Sequence, residues 1–222
     1  MYFKNRADAG RRLAKDLRKY QRKNCVVLAL NPGGVMVGAQ IAMQLHADLF
    51  MLFAERIHIP GEPVTLGSVT SDNSLVYNPA YSTGEIEELA MEYHGLIESE
   101  RMTKIRKLHM VMGASGEVPR DMLRRRVIIL VSDGLHDGFD LSVAAHFLKP
   151  VSIHRLVVAV PIASINAVDA MHLFGDEIHC LFAAEFLFDT DHYYDDNMVP
   201  DSEGLHKIMR NTPLNWHMDS GY

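Results

Sequence analysis

Apolar residues gather in short continuous runs at 25–30, 48–54, 127–131, 155–161 and 177–182. These runs are brief and flanked by turn residues, which predicts strands. Between them the apolar spacing changes to three and four. Leu13, Leu17 and Tyr20 mark an amphipathic helix over 9–22, with its Arg and Lys residues as a solvated face. Val35, Gly38, Ile41, Ala42 and Leu45 mark a second helix over 35–47, and two more are predicted at 139–148 and 164–174. Ser82 followed by Glu85 is a capping-box pattern. It opens a helix that keeps its spacing through Ile86, Leu89, Tyr93, Ile97, Met102 and Ile105 to about residue 108, with a break near Gly95. Residues 113–119 read as a loop, and the β-prone pieces 64–70 and 74–77 around Asp72 and Asn73 predict a small antiparallel hairpin.

Near-continuous apolar strands alternating with helices predict an α/β fold: a doubly wound, mainly parallel sheet carrying a small β-hairpin and a helical hood. The 222 residues suffice for one large domain, expected to span 1–222. In such sheets ligands bind beyond the carboxyl ends of the strands, where loops lead into helices. That places the candidate ligand-binding residues in two loops: Asn31, Gly33 and Gly34 in the first, and Asp133, Gly134, His136, Asp137, Gly138 and Asp140 in the second.

Composition narrows the setting. Hydrophobic content is 48%, yet no apolar run approaches the roughly 20 residues that cross a bilayer. The first ten residues carry Lys4, Arg6 and Asp8 with no apolar stretch behind them, so no secretory signal is expected and a cytoplasmic protein is. Cys25 and Cys180 sit in apolar runs and read as small buried hydrophobes rather than a disulfide or metal ligands. A net charge of −6 argues against nucleic acid as a partner, although Arg124, Arg125 and Arg126 form a local basic patch.

The segment from Val127 through Ser132, Asp133, Gly134, Leu135, His136, Asp137, Gly138 and Phe139 to Asp140 resembles the phosphoribosyl diphosphate signature of type I phosphoribosyltransferases. That signature is an apolar strand, two acids and a Thr-Gly-x-Thr turn. Other segments are similar to a bacterial branch of that family: Phe3 to Gly10, Leu28 to Val35, Pro60-Gly61 leading to residues 66–69, the strand ending at Pro161, the pair Asp176-Glu177, and the stretch Phe186 to Tyr194. The resemblance implies that the two acids grip ribose hydroxyls, the threonine turn binds the 5-phosphate, and a first-loop arginine holds pyrophosphate with magnesium. Here Ser132 stands at the first acid, Asp133 at the second, and Asp137 and Asp140 replace the threonines around a retained Gly138. Asn31-Pro32 replaces Pro-Arg, Glu55-Arg56 replaces Arg-Lys, and Val64 stands where a glutamate is usual. The resemblance also implies a cis peptide in the first loop. Proline lowers its cost to about 0.5–1 kcal/mol, so a cis bond between Asn31 and Pro32 is expected.

Helix N-termini attract phosphate through free N–H groups and partial positive charge. A carboxylate about 4 Å from a phosphate charge opposes this by up to about 4 kcal/mol at an effective dielectric of 20, roughly a thousandfold in affinity. Asp137 and Asp140 therefore oppose phosphate. They also suit a structural role, Asp137 as a helix cap and Asp140 reaching back into the first turn. Alternatively Asp133, Asp137 and Asp140, with His136 nearby, could ligate a divalent cation. A second acidic group, Asp189, Asp191, His192, Asp195 and Asp196, reads as a solvated loop, and His46, His58, His109 and His154 share no ligand spacing.

Three roles follow. The leading one is a non-catalytic or altered-ligand protein that binds a small molecule or a protein partner. The second is an active transferase moving ribose 5-phosphate to a nitrogenous base, with Asp133 on the ribose, Gly33, Gly34 and Gly138 supplying N–H groups, and magnesium as cofactor only in that case. The third is a structural subunit of a homo- or hetero-oligomer.

Overall fold

A computed structural model describes residues 2–112 and 118–217, the last five of these as backbone only. Five parallel strands form the main sheet: β1 (Cys25–Ala29), β2 (Asp48–Met51), β6 (Val127–Val131), β7 (Arg155–Ser164) and β8 (Glu177–Ala184), in the order β2-β1-β6-β7-β8. The central strands β1 and β6 are buried along their whole length, which is why they read as unbroken apolar runs. Winding runs one way from β1 to β2 and the other way from β6 to β8. Crossovers of a single hand therefore put the connecting helices on opposite faces.

Two cores result. On one face Val27, Ala29, Ile129 and Val131 pack beneath α1 (Arg6–Asp16), α2 (Pro32–Leu45) and α8 (Ser202–His217). On the other, Val26, Leu28, Ile128 and Leu130 pack beneath α6 (Phe139–Leu148) and α7 (Ile165–Phe174). Each fully buried aliphatic side chain is worth about 1.5–3 kcal/mol relative to exposure.

A second sheet joins β3 (Ala54–Ile57), β4 (Gly67–Thr70) and β5 (Leu75–Tyr77) in antiparallel order. The expected hairpin is β4-β5, turning through Asn73 at φ 65°. β3 is an additional strand, mostly half-buried, with Glu55 and Arg56 at its centre in place of the apolar run that marks the main-sheet strands. Over this sheet lie α3 (Thr83–Glu92), opened by the Ser82–Glu85 capping box, and α4 (His94–Met112). The break between them falls at Tyr93, two residues before Gly95. Ile59, Leu66 and Ile97 form this hood's own small core. Residues 113–117 of the expected loop lie outside the described residues, and a short helix α5 (Arg120–Leu123) follows.

Three readings are corrected. The first helix runs over 6–16 and continues as a separate short 3-10 turn, Arg18–Tyr20. The second begins at Pro32 rather than Val35, because the Asn31 side chain caps it and Pro32 needs no N–H at that position. No peptide bond among the described residues is cis, so Asn31–Pro32 is trans: Asn31 adopts an extended cap conformation that feeds proline directly into the helix. Helix α8 escapes the apolar-spacing reading altogether. Among the described residues no helix is long and apolar enough to cross a membrane.

At the amino end of β8, burial disfavours the charged form of Glu177, but hydrogen bonds from Lys19 Nζ (2.8 Å), His179 Nε2 (2.5 Å) and Tyr20 Oη (2.8 Å) outweigh it. They bring the carboxyl down from 4.5 to about 2. A folded-state pKa below the unfolded value stabilises the fold above pH 4.5, and that contribution is lost as pH falls toward 2. Urea midpoints should therefore drop over this window more steeply for the wild type than for Glu177→Gln. Parallel curves for the two proteins would refute the assignment.

Candidate functional site

The sheet reverses its winding between β1 and β6, and the loops that follow these strands meet there. This is the crevice in which open α/β sheets bind ligands. Asn31 bridges the loops: its Nδ2 donates to Ser132 Oγ at 3.0 Å and to Asp133 Oδ1 at 2.8 Å, while its Oδ1 accepts the Gly34 N–H at 2.6 Å. Asp133, 5% exposed, turns inward to Arg6, whose Nε donates to Oδ2 at 2.7 Å. Arg6 is itself 3% exposed and completes its bonding with the Asn197 carbonyl at 2.7 Å and Asp191 Oδ1 at 2.5 Å. Burial works against its charge, but Asp133 and Asp191 prevail and raise its pKa further above the ordinary value. Tyr194 lies under the guanidinium, 4.7 Å from the ring centroid, and donates to the Asp133 carbonyl at 2.6 Å. Burial, then the Asp133 charge, drive the Tyr194 hydroxyl strongly upward, so it stays protonated as a donor.

Gly33 is dictated by this ion pair. A Cβ there would collide with the Asp133 carboxylate and with Arg6. At Gly34 a Cβ would meet Asn31 Oδ1 at 2.7 Å and the Val131 carbonyl at 2.8 Å. Both glycines therefore serve the close approach of α2 to the β6 loop rather than offering an open cradle.

The second half of the loop is held by the hood. The N-cap of α6 is Gly138, without a side-chain cap; the expected capping residue Asp137 stands one position earlier, where its Oδ1 accepts the Phe139 N–H at 2.9 Å. Asp140 does not turn back into the first turn; its Oδ1 accepts from Arg56 Nη2 of β3 at 2.9 Å, with Asp137 Oδ1 at 3.9 Å from the same nitrogen. Arg56 also lies over the Phe139 ring at 5.6 Å. Burial opposes its charge while Asp140 and Asp137 raise its pKa. Gly138 abuts Ala170 of α7, leaving no space for a side chain. His136 leaves the group, its Nε2 pairing with Thr190 Oγ1 at 3.1 Å, and Gly134 packs against the same threonine.

The candidate residues thus separate into two clusters, Asn31–Asp133–Arg6 and Asp137–Asp140–Arg56. Among the described residues no group of three or more His, Cys, Asp or Glu could hold a metal ion, and Asp133, Asp137 and Asp140 are not brought together as a ligand set. Four carboxylates, those of Asp133, Asp137, Asp140 and Asp191, face two guanidinium groups. Arg6, Arg56 and Asp191 are the partners that sequence reasoning missed. A buried Asp133 demands a cation, and Arg6 lies in a segment already marked by resemblance, but 127 residues separate the pair.

No family model matches the chain. Two Mycobacterium tuberculosis proteins, from strains CDC 1551 and H37Rv and each described as a putative phosphoribosyl transferase, are 28% identical to it over 189 residues, 84% of this chain and 41% of theirs. The chain therefore spans about two fifths of the length of the curated relatives it matches. The crystal structure of TT1426 from Thermus thermophilus is similar at TM-score 0.72 and 26% identity, covering 95% of this chain and 99% of that one.

Removing one member of a buried ion pair leaves an uncompensated charge and costs about 3–5 kcal/mol. Arg6→Met should lower stability by about that amount. The double variant Arg6→Met/Asp133→Asn should recover most of it, because the amide oxygen introduced at position 133 is neutral and still accepts from Asn31. Urea unfolding of the two variants checks this. A single-variant loss below about 1 kcal/mol would mean the pair is not buried as described.

Proposed function

We propose, for a chain of the type I phosphoribosyltransferase-like family, a role in binding without transfer of ribose 5-phosphate. The observation that carries this reading is the engagement of both loops by the chain's own groups. Asp133, the remaining acid of the signature, accepts from Arg6 at 2.7 Å and Asn31 at 2.8 Å. A ribose diol would have to compete with a buried ionic partner. Asp137 already occupies the Phe139 N–H at 2.9 Å, one of the helix-start donors a phosphate would need. The nearby cation, Arg56, is held by Asp140.

The chemistry of such a site favours a ligand without phosphate. Four carboxylates against two guanidinium groups leave an excess of negative charge at the crevice, which repels phosphoribosyl diphosphate before contact and again within it. A neutral or cationic small molecule, or a protein surface presenting such groups, meets no such barrier. Magnesium enters this account only where a diphosphate brings it, since the donor oxygens of Asp133 are paired internally.

Calorimetry with phosphoribosyl diphosphate, ribose 5-phosphate and common nucleotides, each with and without magnesium, tests the reading. No micromolar binding is expected of the wild type. Asp137→Thr/Asp140→Thr removes two repulsive charges and releases Arg56, so with Ser132→Asp it should strengthen magnesium-dependent binding of phosphoribosyl diphosphate on the order of a hundredfold or more. Micromolar binding by the unmodified chain, or ribose transfer to any base, would establish the active-transferase reading instead.

A further inference from the structure

Among the described residues the main sheet ends at β8, an eight-residue strand whose ladder runs to β7 alone, and none of its residues is fully buried. Natural edge strands resist pairing through Pro, Lys, bulges or brevity. β8 contains neither Pro nor Lys, and its residues Ile178, Cys180, Leu181, Phe182 and Ala183 are apolar. Leu173 at the end of α7, 83% exposed, and Phe186 and Phe188 beyond the strand, 80% and 67% exposed, widen the apolar strip.

Charge is distributed unequally along this strip. At its start stand Lys19 and Arg155, half exposed, with Lys23 beside Tyr20, and Asp176 and Glu177 offset two of the three, leaving a net positive end. After its end come Glu185, Asp189 and Asp191, of which Asp191 is partly offset by Arg6. We propose that β8 pairs antiparallel with β8 of a second copy of this chain, joining the two sheets about a two-fold axis. Antiparallel self-pairing sets the basic start of each strand against the acidic end of the other, twice over. A ladder of this length spans about 26 Å. A parallel partner copy would instead bring like ends together.

Sedimentation velocity of the full chain across micromolar concentrations should show a species of twice the 25.0 kDa chain mass. Ala183 is the exposed residue of the strand, so its replacement leaves the protomer fold intact. Ala183→Lys places a cation opposite the partner's basic end and should weaken the dimer about tenfold or more, whereas Ala183→Glu, equally polar, should not. Amides of 177–184 should exchange more slowly at concentrations where the dimer forms. A chain that sediments at 25.0 kDa throughout overturns the proposal, whether the edge is then bare or takes another protein's strand. So does a dimer that Lys and Glu at 183 affect alike, because that places the interface elsewhere.

Discussion

The crevice is organised by one buried ion pair, Arg6 with Asp133. Arg6 enters from the first turn of α1, Asp133 from the loop after β6, and Asn31 from the cap of α2. These are the three elements that converge where the sheet reverses direction. Desolvating two charges is expensive, and their mutual attraction repays it only with good geometry and full hydrogen bonding. Here each guanidinium nitrogen of Arg6 has an acceptor, and both Asp133 oxygens have a donor. The pair explains why position 33 must be glycine, why Tyr194 sits beneath the guanidinium, and why 191–197 folds back over the start of the chain.

A carboxylate so placed has a different chemical meaning from one lining an open cup. Its charge is balanced from inside, and the oxygens that could receive hydroxyl protons are already accepting. The Asp137–Asp140–Arg56 cluster repeats the arrangement at the surface: two carboxylates at a helix start, one of them offset by an arginine from the hood. On the proposed reading, a helix start that could offer N–H groups and positive charge to a phosphate has them engaged by the chain's own carboxylates. Fold and site are separable in this way because strand burial specifies the sheet, whereas a handful of side chains specifies the ligand.

The same division governs what could be read from the sequence. The main-sheet strands were legible because burial on both faces leaves no polar residue to interrupt residues 25–29 or 127–131. The Ser82–Glu85 box and the local Asp137–Phe139 contact were legible because their partners lie within three residues, although Gly138 rather than Asp137 is the N-cap. β3 was not, since Glu55 and Arg56 occupy half of a four-residue strand that is only partly buried. The partners of Asp133 and Asp140 were not, because Arg6 and Arg56 lie 127 and 84 residues away and local spacing carries no information at that distance. Asn31 was marked as a ligand residue by its loop, yet its amide joins the two loops and leaves no donor pointing outward.

The measurement that bears most directly on this account is the arginine side-chain amide spectrum of the wild-type protein during titration with phosphoribosyl diphosphate and magnesium. The Arg6 Nε–H, bonded to Asp133 at 2.7 Å and shielded from solvent, should give a slowly exchanging signal displaced from those of exposed arginines. It should remain unmoved as the diphosphate and metal are added. A shift or loss of that signal at micromolar ligand would mean that Asp133 leaves Arg6 to engage ribose, and the internally paired carboxylate would be the wrong description of this crevice.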